Sequence, residues 1–486
     1  MKTLKVGYPE YWGENMSPSL QHTIYADAML ANQFEALVSV GPAGSIKPLA
    51  AKEWVASEDK RIYTFKIDTE RTFSNGKKLS AQDFKYSWEY GLSLEPKSSN
   101  SSLQDVLYKV VGFEDFEKTK HLSGLRVIDS GTLEVEFKNP FRAALTNLAG
   151  SRMSAFVLEN GKHLGTGPYV IEESSDKKLV LTANEFRRNP PPFKEVHVEV
   201  IKPEFAQKSL DEGVIDVYSL AEHAEFNNCL DDSSNTGCFA GTESRHITMV
   251  LNAKENRIFQ KLENRLAMQS LFYQTFMGKE MPANMKIKTE LDPQIFLPLQ
   301  SGRIEDEVAM AKVKEGSAYI DAFIAETQKK PLKMVTGTTG NLLKWAKDGL
   351  SERGVKFSED STVLPMKDLA ATYYKTHDTD IALMTLSVAS GDPDGIYHAL
   401  GSNGAITSPM MFKKESASLL EAGRKILKLS QIDEHYQKVT TAALAEVPFV
   451  HLGYLKTLMV YRKDRVKLEK EYKQREDNRF SSFGPL

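Results

Sequence analysis

The stretch Phe73-Ser-Asn-Gly-Lys-Lys-Leu-Ser-Ala-Gln-Asp-Phe-Lys-Tyr-Ser-Trp88 contains a turn signal followed at once by the start of a helix. Asn75-Gly76 accepts the positive φ that a sharp turn requires. Ser80 and Asp83 stand at the spacing of a capping box, which satisfies free backbone groups at a helix start. Phe84 and the final tryptophan, four residues apart, begin the apolar face of a helix. The stretch therefore predicts a tight turn and a capped helix with an aromatic face.

Periodic hydrophobicity predicts further strands and helices on both sides of this stretch. Apolar and polar residues alternate, as in half-buried strands, at residues 62–67, 132–137 and 196–200. Helical spacing appears from Ile258 to Leu266 and from Leu343 to Leu350. The second of these helices lies between the strand-like residues 332–335 and 354–357. This order predicts two parallel strands joined by a right-handed crossover.

The composition is that of a soluble globular protein with more than one domain. A chain of 486 residues exceeds what one core usually holds, so two or three domains are expected. The net charge of −3 provides no overall basic field for nucleic acid or an anionic membrane. The sequence contains no run of the roughly 18–20 apolar residues that a membrane-spanning helix needs.

Motifs for enzymatic chemistry are missing from the sequence. The chain has no Walker A sequence, no His-Glu-x-x-His and no Gly-x-Ser-x-Gly. Gly165-x-Gly167 resembles the start of a dinucleotide fingerprint, but Val170 stands at the third glycine position and β-prone residues follow. His377-Asp-Thr-Asp380 is interpreted as the polar turn before an apolar strand. We therefore expect no enzymatic activity, no cofactor and no dedicated metal site.

The two cysteines, Cys229 and Cys238, lie in a polar, turn-rich segment. This arrangement is typical of a local disulfide formed in an oxidising compartment. Two unpaired thiols remain the alternative. The spacing of His223 and His246 around the pair matches no compact zinc pattern.

The stretch 73–88 resembles, almost residue for residue, a segment of the large extracellular solute-binding proteins of the oligopeptide, dipeptide and nickel family, which serve ABC importers. The likeness continues in the family's order along much of the chain. It is carried by Phe34-Glu-Ala-Leu37, Leu49-Ala-Ala-Lys-Glu-Trp54, Leu125-Arg-Val-Ile-Asp129, Gly165-Thr-Gly-Pro-Tyr-Val-Ile171, Ala183-Asn184, Leu210-Asp-Glu-Gly-Val-Ile-Asp216 and Asp392-Pro-Asp394.

The resemblance implies an α/β chain with the two-lobed fold of the periplasmic binding proteins, of the large type II class. An additional α+β domain would be inserted in the first lobe. The predicted lobe I core comprises residues 1–45, 164–245 and 455–486, the inserted domain residues 46–163, and lobe II residues 246–454.

The function that the resemblance implies is that of a non-enzymatic receptor. It would close two lobes around a peptide or peptide-like solute and present that solute to the permease subunits of an ABC importer. The alternatives are the same fold binding an oligosaccharide, an opine-like conjugate or a chelated metal, or a sensory or interaction protein without transport. A monomer without a nucleic-acid partner is expected.

The resemblance also implies a location in the periplasm, or on the outer side of the cytoplasmic membrane through a lipid anchor. Residues Met1-Lys-Thr-Leu-Lys-Val-Gly7 pass directly into strand-like sequence. We therefore expect that the export signal of such a protein is absent from this sequence.

Candidate ligand-binding residues lie in two regions of the chain. The resemblance places Tyr25 and Asp27 in the first lobe, before the Phe34 motif, where family members contact ligand. In the second lobe, Ser387, Ala389, Ser390 and Asp392 follow an apolar strand, and ligands of open α/β sheets gather beyond the carboxyl ends of strands. For Asp392 the alternative is a purely structural cap of the following helix.

The chain departs from the family at the position that holds the amino terminus of a bound peptide. Peptide receptors of this family carry an aspartate there, and this chain has Ala389. An aromatic residue of the same motif is replaced by Leu386, and the positions near Leu383 and Tyr374 lack the basic residues of some oligopeptide receptors. We expect that a carboxylate from the first lobe, Asp27, replaces the missing aspartate.

Overall fold

The computed structural model describes the chain except for residues 1–2, 14–15, 21–23, 42–44, 95–102, 220–233, 280–290, 299, 338–339, 365–367, 370, 388–391, 402–414, 469–479 and 486.

The strands, in chain order, are β1 (Thr3–Tyr8), β2 (Val38–Val40), β3 (Ile46–Pro48), β4 (Ala51–Ala56), β5 (Ile62–Ile67), β6 (Leu125–Asp129), β7 (Thr132–Glu136), β8 (Val157–Glu159), β9 (Lys162–Leu164), β10 (Tyr169–Ser174), β11 (Lys178–Ala183), β12 (Glu195–Val200), β13 (Val217–Tyr218), β14 (Thr236–Leu251), β15 (Met334–Thr336), β16 (Thr362–Val363), β17 (Ile381–Ser387), β18 (Phe449–Arg462), β19 (Val466–Leu468) and β20 (Phe483–Pro485).

The α-helices are α1 (Ile24–Leu30), α2 (Ala81–Leu94), α3 (Gln104–Leu107), α4 (Phe116–Thr119), α5 (Ala144–Asn147), α6 (Ala206–Asp211), α7 (Leu262–Phe276), α8 (Asp306–Glu315), α9 (Ile320–Lys329), α10 (Gly340–Glu352), α11 in a π-helical form (Ala371–Thr376), α12 (Tyr397–Leu400), α13 (Glu415–Gly423) and α14 (Leu429–Glu446). Among the described residues, no helix is both long enough and apolar enough to span a membrane.

The chain divides into two compact units. Unit 1 comprises Met1–Thr242 and Leu458–Leu486, and unit 2 comprises Glu243–Thr457. The chain passes from one unit to the other within β14 and again within β18. Each unit has its own buried core. A two-domain organisation is therefore visible in the structure, whereas the predicted boundaries of an inserted domain stay a prediction.

The main sheet of unit 1 has the strand order β10-β11-β12-β1-β13-β18. β1 runs parallel to both of its neighbours, β12 and β13, whereas β10–β11, β11–β12 and β13–β18 are antiparallel pairs. The alternating side chains of β1, Leu4 and Val6 among them, are fully buried in a core that also contains Met29 of α1. The predicted strand at 196–200 is confirmed as β12.

A second sheet of unit 1, with the order β4-β5-β7-β6, has a separate core beneath α2. The predicted strands at 62–67 and 132–137 are confirmed as β5 and β7. Gly76 adopts a φ of +84°, as the turn prediction requires. Half of the predicted capping box is present, since the backbone N–H of Ser80 donates to Asp83 Oδ2 at 2.8 Å. The N–H of Asp83 donates to the Ser80 carbonyl at 3.1 Å, and the Ser80 hydroxyl itself donates to Asp83 Oδ2 at 2.7 Å. The aromatic face of the helix includes Trp88, whose indole donates to the Met153 carbonyl.

A buried carboxylate joins two of the motifs that carry the resemblance, those at Phe34 and Gly165, to two arginines of unit 1. Glu35 has a fully buried side chain, and it accepts from Arg71 at 2.6 Å, Arg187 at 3.1 Å and Thr166 at 3.0 Å. The neighbouring glycine of the Gly165-Thr-Gly motif is required because a Cβ there would lie 2.0 Å from the carbonyl oxygen of residue 33. These motifs therefore have a structural role that local sequence patterns do not reveal.

The sheet of unit 2 has the order β18-β14-β17-β15-β16. β15 runs parallel to β17 and to β16, and β14 runs antiparallel to β17. The side chains of β17 alternate between two cores: Leu383 lies in the core that contains α7 and α10, and Ala382 in the core that contains α12 and α14. Unit 2 is thus a sheet covered by helices on both faces.

The predicted strand–helix–strand unit of unit 2 is confirmed in topology but differs in its second strand. The strand that follows the crossover helix and pairs in parallel with β15 is β16, at 362–363. The predicted strand at 354–357 forms only an isolated parallel bridge, between Phe357 and Leu332. Gly354 has a φ of +94°, and Val355 turns into the core instead of extending along the sheet. The crossover helix itself is confirmed as α10.

Candidate functional site

The sheet of unit 2 has a topological switch point at the carboxyl ends of β15 and β17. These strands are parallel neighbours. The connection after β15 is α10, which packs with Leu383 on one face, whereas the connection after β17 continues to α12, which packs with Ala382 on the other face. Adjacent parallel strands whose connections leave to opposite faces form a crevice at their carboxyl ends, where ligands of open α/β sheets bind.

Unit 1 has the same topological feature at the carboxyl ends of β1 and β12. After β1 the chain continues to α1, and Met29 packs into the core on one face of the sheet. After β12 the chain crosses the other face, where the side chains of Ile201 and Ile215 lie against the position that a Cβ on Gly7 would occupy. The carboxyl edge of each sheet is therefore a candidate binding edge by the same argument.

The predicted residues of the first lobe lie on α1. Asp27 is half-buried, and its carboxylate accepts a hydrogen bond from the Ser151 hydroxyl. This contact ties α1 to the 3-10 turn Ser151–Met153. Tyr25 belongs to the same helix, and its side chain lies outside the described part of the structure. The structure therefore places both residues on the element that follows β1.

The predicted residues of the second lobe lie at the carboxyl end of β17, where Ser387 is the last residue of the strand. Ala389 and Ser390 lie outside the described residues. Asp392 is half-buried and caps the next turn, because its carboxylate accepts from the Asp394 backbone N–H at 2.9 Å. The cap expected from the sequence is thus present. Ser387 and Asp392 border the same loop of unit 2, while Tyr25 and Asp27 belong to unit 1.

The second aspartate of the Asp392-Pro-Asp394 turn has a separate structural role. Asp394 is 2% exposed and accepts from Arg424 Nε at 2.6 Å and Nη2 at 3.0 Å. The same guanidinium lies 3.1 Å from the ring centroid of Tyr397. A bidentate, buried ion pair of this kind fixes the turn that follows β17.

Of the two cysteines in the predicted disulfide, one lies within the described residues. Cys238, on β14, is disulfide-bonded. Its predicted partner, Cys229, lies outside the described residues.

A buried polar network lies in unit 2, on the strands that link it to unit 1. His246 on β14 and His451 on β18 are both buried, and His246 Nδ1 lies 2.8 Å from His451 Nε2. His451 Nδ1 contacts the backbone carbonyl of Asp292. Tyr454 Oη lies 3.0 Å from the Asp292 carboxylate and accepts from Arg303 at 2.9 Å. The Arg303–Asp292 ion pair, at 2.8 Å, completes the network.

Burial sets the protonation states in this network. It lowers the pKa of His451 to about 4. It also lowers the pKa of His246 well below its ordinary value, and the neighbouring His451 lowers it further. Burial raises the pKa of Tyr454 and of Tyr273, whose hydroxyl donates to the His451 carbonyl. Both imidazoles are therefore neutral at pH 7, and both phenols keep their protons.

Sequence reasoning missed this network. Its two histidines are 205 positions apart, and each occupies one residue of a strand with no motif around it. Only the pairing of distant strands brings them together. Among the described residues, no group of three or more His, Cys, Asp or Glu side chains is arranged to hold a metal ion.

Comparison with known proteins identifies the family. The model of the family described as "Bacterial extracellular solute-binding proteins, family 5 Middle" matches residues 45–315, which are more than half of the chain. The chain belongs to the family 5 extracellular solute-binding proteins.

Curated relatives match this family 5 protein over part of their length. The periplasmic murein peptide-binding protein MppA of Escherichia coli is 28% identical over 170 residues, which are 32% of this chain and 31% of the relative. The nickel-binding periplasmic protein of Escherichia coli is 27% identical over 205 residues, which are 39% of this chain and 36% of the relative. The alignment thus spans about a third of the length of each.

Solved structures show the fold of this family 5 protein over its full length. The murein tripeptide binding protein MppA of Escherichia coli matches with a TM-score of 0.82 at 18% identity, over 100% of this chain and 98% of that one. DppA of Helicobacter pylori, in complex with the peptide STSA, also matches with a TM-score of 0.82, at 16% identity, over 99% of this chain and 98% of that one. The predicted α/β, two-lobed type II fold is thereby confirmed.

Proposed function

We propose that this protein is an extracytoplasmic receptor that binds a peptide or peptide-like solute and delivers it to the permease subunits of an ABC importer. The observation that carries the proposal is the pair of candidate binding edges, one at the carboxyl ends of the parallel strands of each unit, in a chain of this family. Its proposed location is the periplasm, or the outer face of the cytoplasmic membrane.

Binding is proposed to work through a hinged equilibrium between an open and a closed form. β14 and β18 carry the chain between the units and are the proposed hinge. A solute favours the closed form only if it gains contacts there that the open form does not offer. Such a receptor needs no catalytic group, because its task is to change the population of two conformations.

The residues proposed to contact the solute lie at the two candidate binding edges. Unit 1 supplies Tyr25 and Asp27 from α1, and unit 2 supplies Ser387 and Asp392 from the ends of the loop after β17. Residues Ala389 and Ser390 of that loop complete the proposed set. An additional domain at 46–163 and a Cys229–Cys238 disulfide also belong to this proposal. The separate core beneath α2 and the bonded state of Cys238 support them.

Peptides are the proposed class of solute because the names of several relatives refer to them. MppA of Escherichia coli is named for murein peptides, DppE of Bacillus subtilis for dipeptides, and OppA of both organisms for oligopeptides. The half-buried carboxylate of Asp27 is the proposed partner of a peptide amino group from the first lobe.

Mass spectrometry under native conditions tests the proposal. The purified protein is expected to carry one small solute, and denaturation should release a mass that fragments as a peptide. A thermal-shift comparison of free, N-acetylated and amidated tripeptides then tests the amino-group contact, with the largest stabilisation expected for the free amine. A protein that carries no solute and is stabilised by none of these peptides would contradict the proposal.

A further inference from the structure

The candidate binding edge of unit 2 contains a histidine, one of whose ring nitrogens makes no hydrogen bond within the described residues. His246 is fully buried on β14. It lies directly opposite Leu386, the next-to-last residue of β17, and Ser387 begins the loop of the proposed site at the same end of that strand. His246 is therefore paired with the carboxyl-terminal end of β17, the edge at which the topology places the crevice.

The hydrogen bonds of the neighbouring histidine determine where the protons of this ring lie. The carbonyl of Asp292 can only accept, so His451 Nδ1 must carry the proton that this carbonyl receives. A neutral His451 then has a lone pair on Nε2, and His246 Nδ1 must donate to it across 2.8 Å. It follows that His246 Nε2 carries a lone pair and can only accept.

This lone pair has no donor in the described part of the chain. His246 Nε2 is buried and makes no hydrogen bond there. Two other donors of the network bond elsewhere: Arg303 pairs with the Asp292 carboxylate at 2.8 Å, and the Tyr273 hydroxyl donates to the His451 carbonyl. Tyr454, whose ring centroid lies 5.4 Å from that of His246, is bonded to Asp292 and Arg303. A buried acceptor without a donor is costly, and native proteins rarely leave one.

We infer that His246 Nε2 accepts a hydrogen bond from an N–H or O–H group of the bound solute, and that His451 is the positioning residue that fixes this tautomer. The inference rests on the proposed function and specifies one contact of its site. Burial keeps the pKa of His246 well below its ordinary value, so this imidazole stays neutral and takes a hydrogen bond without taking the proton. The donor it suits is therefore a neutral group, such as an amide N–H of a peptide backbone.

Two substitutions of His246 distinguish the hydrogen bond made by Nδ1 from the one proposed for Nε2. In His246→Asn the shorter amide reaches the place of Nδ1 and can still donate to His451, but nothing occupies the place of Nε2. In His246→Gln the longer side chain can present an oxygen near the place of Nε2. His435→Asn is the matched control, because His435 belongs to α14 and bonds the Leu419 carbonyl instead of a residue at the binding edge.

The probe is an equimolar mixture of unmodified tripeptides, and the readout is the apparent dissociation constant from the concentration dependence of the thermal shift. His246→Asn is expected to weaken binding about tenfold, the loss of one hydrogen bond to a buried acceptor. His246→Gln should recover part of that loss, and His435→Asn should bind as the wild type does. Equal affinity of wild type and His246→Asn would overturn the inference and leave the proposed function standing. Failure of the wild type to bind any tripeptide would overturn both.

A measurement on the wild type does not depend on how the variants fold. In protein labelled with ¹⁵N-histidine, the Nε2 resonance of His246 should have the shift of an unprotonated ring nitrogen. Addition of the tripeptide mixture should move the Nε2 shift towards that of a hydrogen-bonded acceptor. The Nδ1 shift should remain that of a protonated ring nitrogen. A protonated Nε2, or an Nε2 resonance that saturating peptide leaves unmoved, would overturn the inference.

Discussion

At the scale of single residues, Glu35 explains why the Phe34 motif contains an acid. Its carboxylate is fully buried and holds two guanidinium groups, from Arg71 and Arg187, which lie 36 and 152 positions away along the chain. A buried charge is tolerated only when it is paired and hydrogen-bonded. The Glu35 side chain therefore links three separate segments of unit 1 through its two ion pairs.

The variant Glu35→Gln tests this role. Loss of the negative charge leaves two partly buried guanidinium groups without their common partner, so the free energy of unfolding should fall by about 3–5 kcal/mol. Urea denaturation of the variant and the wild type measures the difference. Glu70→Gln is the control, because Glu70 pairs with Lys78 at the surface, where such pairs contribute about 0–1 kcal/mol. Equal losses from the two variants would show that Glu35 has no special role.

The buried histidines predict a dependence of stability on pH. The pKa of His451 is near 4 in the folded protein and near 6.5 in an unfolded chain, so the unfolded state binds more protons between these values. The free energy of unfolding should therefore be highest above pH 6.5 and fall as the pH decreases towards 4. For His451 this loss approaches about 3 kcal/mol.

The measurement is the urea midpoint between pH 7.5 and 5, compared with that of His451→Gln. The variant should lose less stability over this range, because it lacks one group that gains a proton on unfolding. Parallel pH curves for the two proteins would contradict the low pKa of His451.

The sequence predicted residues whose roles are local and missed those whose partners are distant. Ser80 and Asp83 are three positions apart, so their spacing alone was enough to predict the cap. The burial of Glu35, and the contact of His246 with His451, depend on strand pairings that a single sequence does not contain. At the candidate site, sequence reasoning selected the carboxyl end of β17, which stays a prediction, and did not select the histidine on the neighbouring strand.

At the scale of elements, the Asp392-Pro-Asp394 turn combines two functions in three residues. The first aspartate caps the turn, Pro393 stands at its first position, and the second aspartate pairs with Arg424 from the end of α13. The cap uses the backbone N–H of Asp394 and the ion pair uses its side chain. The two contributions can therefore be removed separately.

Calorimetry should distinguish the two aspartates. Asp394→Asn breaks a pair whose side chains are 2% and 5% exposed, and should cost about 3–5 kcal/mol. In a unit of this size the melting temperature should fall on the order of 10 °C. Asp392→Ala removes the cap and should cost about 1 kcal/mol. If Asp392→Ala destabilised the protein as much as Asp394→Asn, the assignment of these roles would be wrong.

Elements with strong periodicity were predicted well, and short ones were not. β5, β7 and α10 each show a clear alternation or an apolar stripe. β16 has two exposed residues, so it offers no pattern, and the apolar residues just before it, including Val355, enter the core instead. Two-residue strands are defined by their neighbour in the sheet and not by their own sequence.

At the scale of the whole molecule, the proposed closure can be followed in solution by small-angle X-ray scattering. The radius of gyration should decrease when the tripeptide mixture is added, since a solute that favours a closed form shifts the population towards it. An equal concentration of free alanine serves as the control and should leave the curve unchanged. Scattering curves that superimpose with and without bound peptide would contradict closure.

The return of the chain through β18 has a consequence for the order in which the protein is made. β18 pairs with β13, at Val217↔Tyr461, and so supplies unit 1 with a strand after the whole of unit 2. A ribosome that has reached residue 457 has completed every residue of unit 2 but has left β13 without this neighbour. The unit that begins first is thus finished last, and a nascent chain that stops short of its final segment exposes an unpaired strand edge to other molecules.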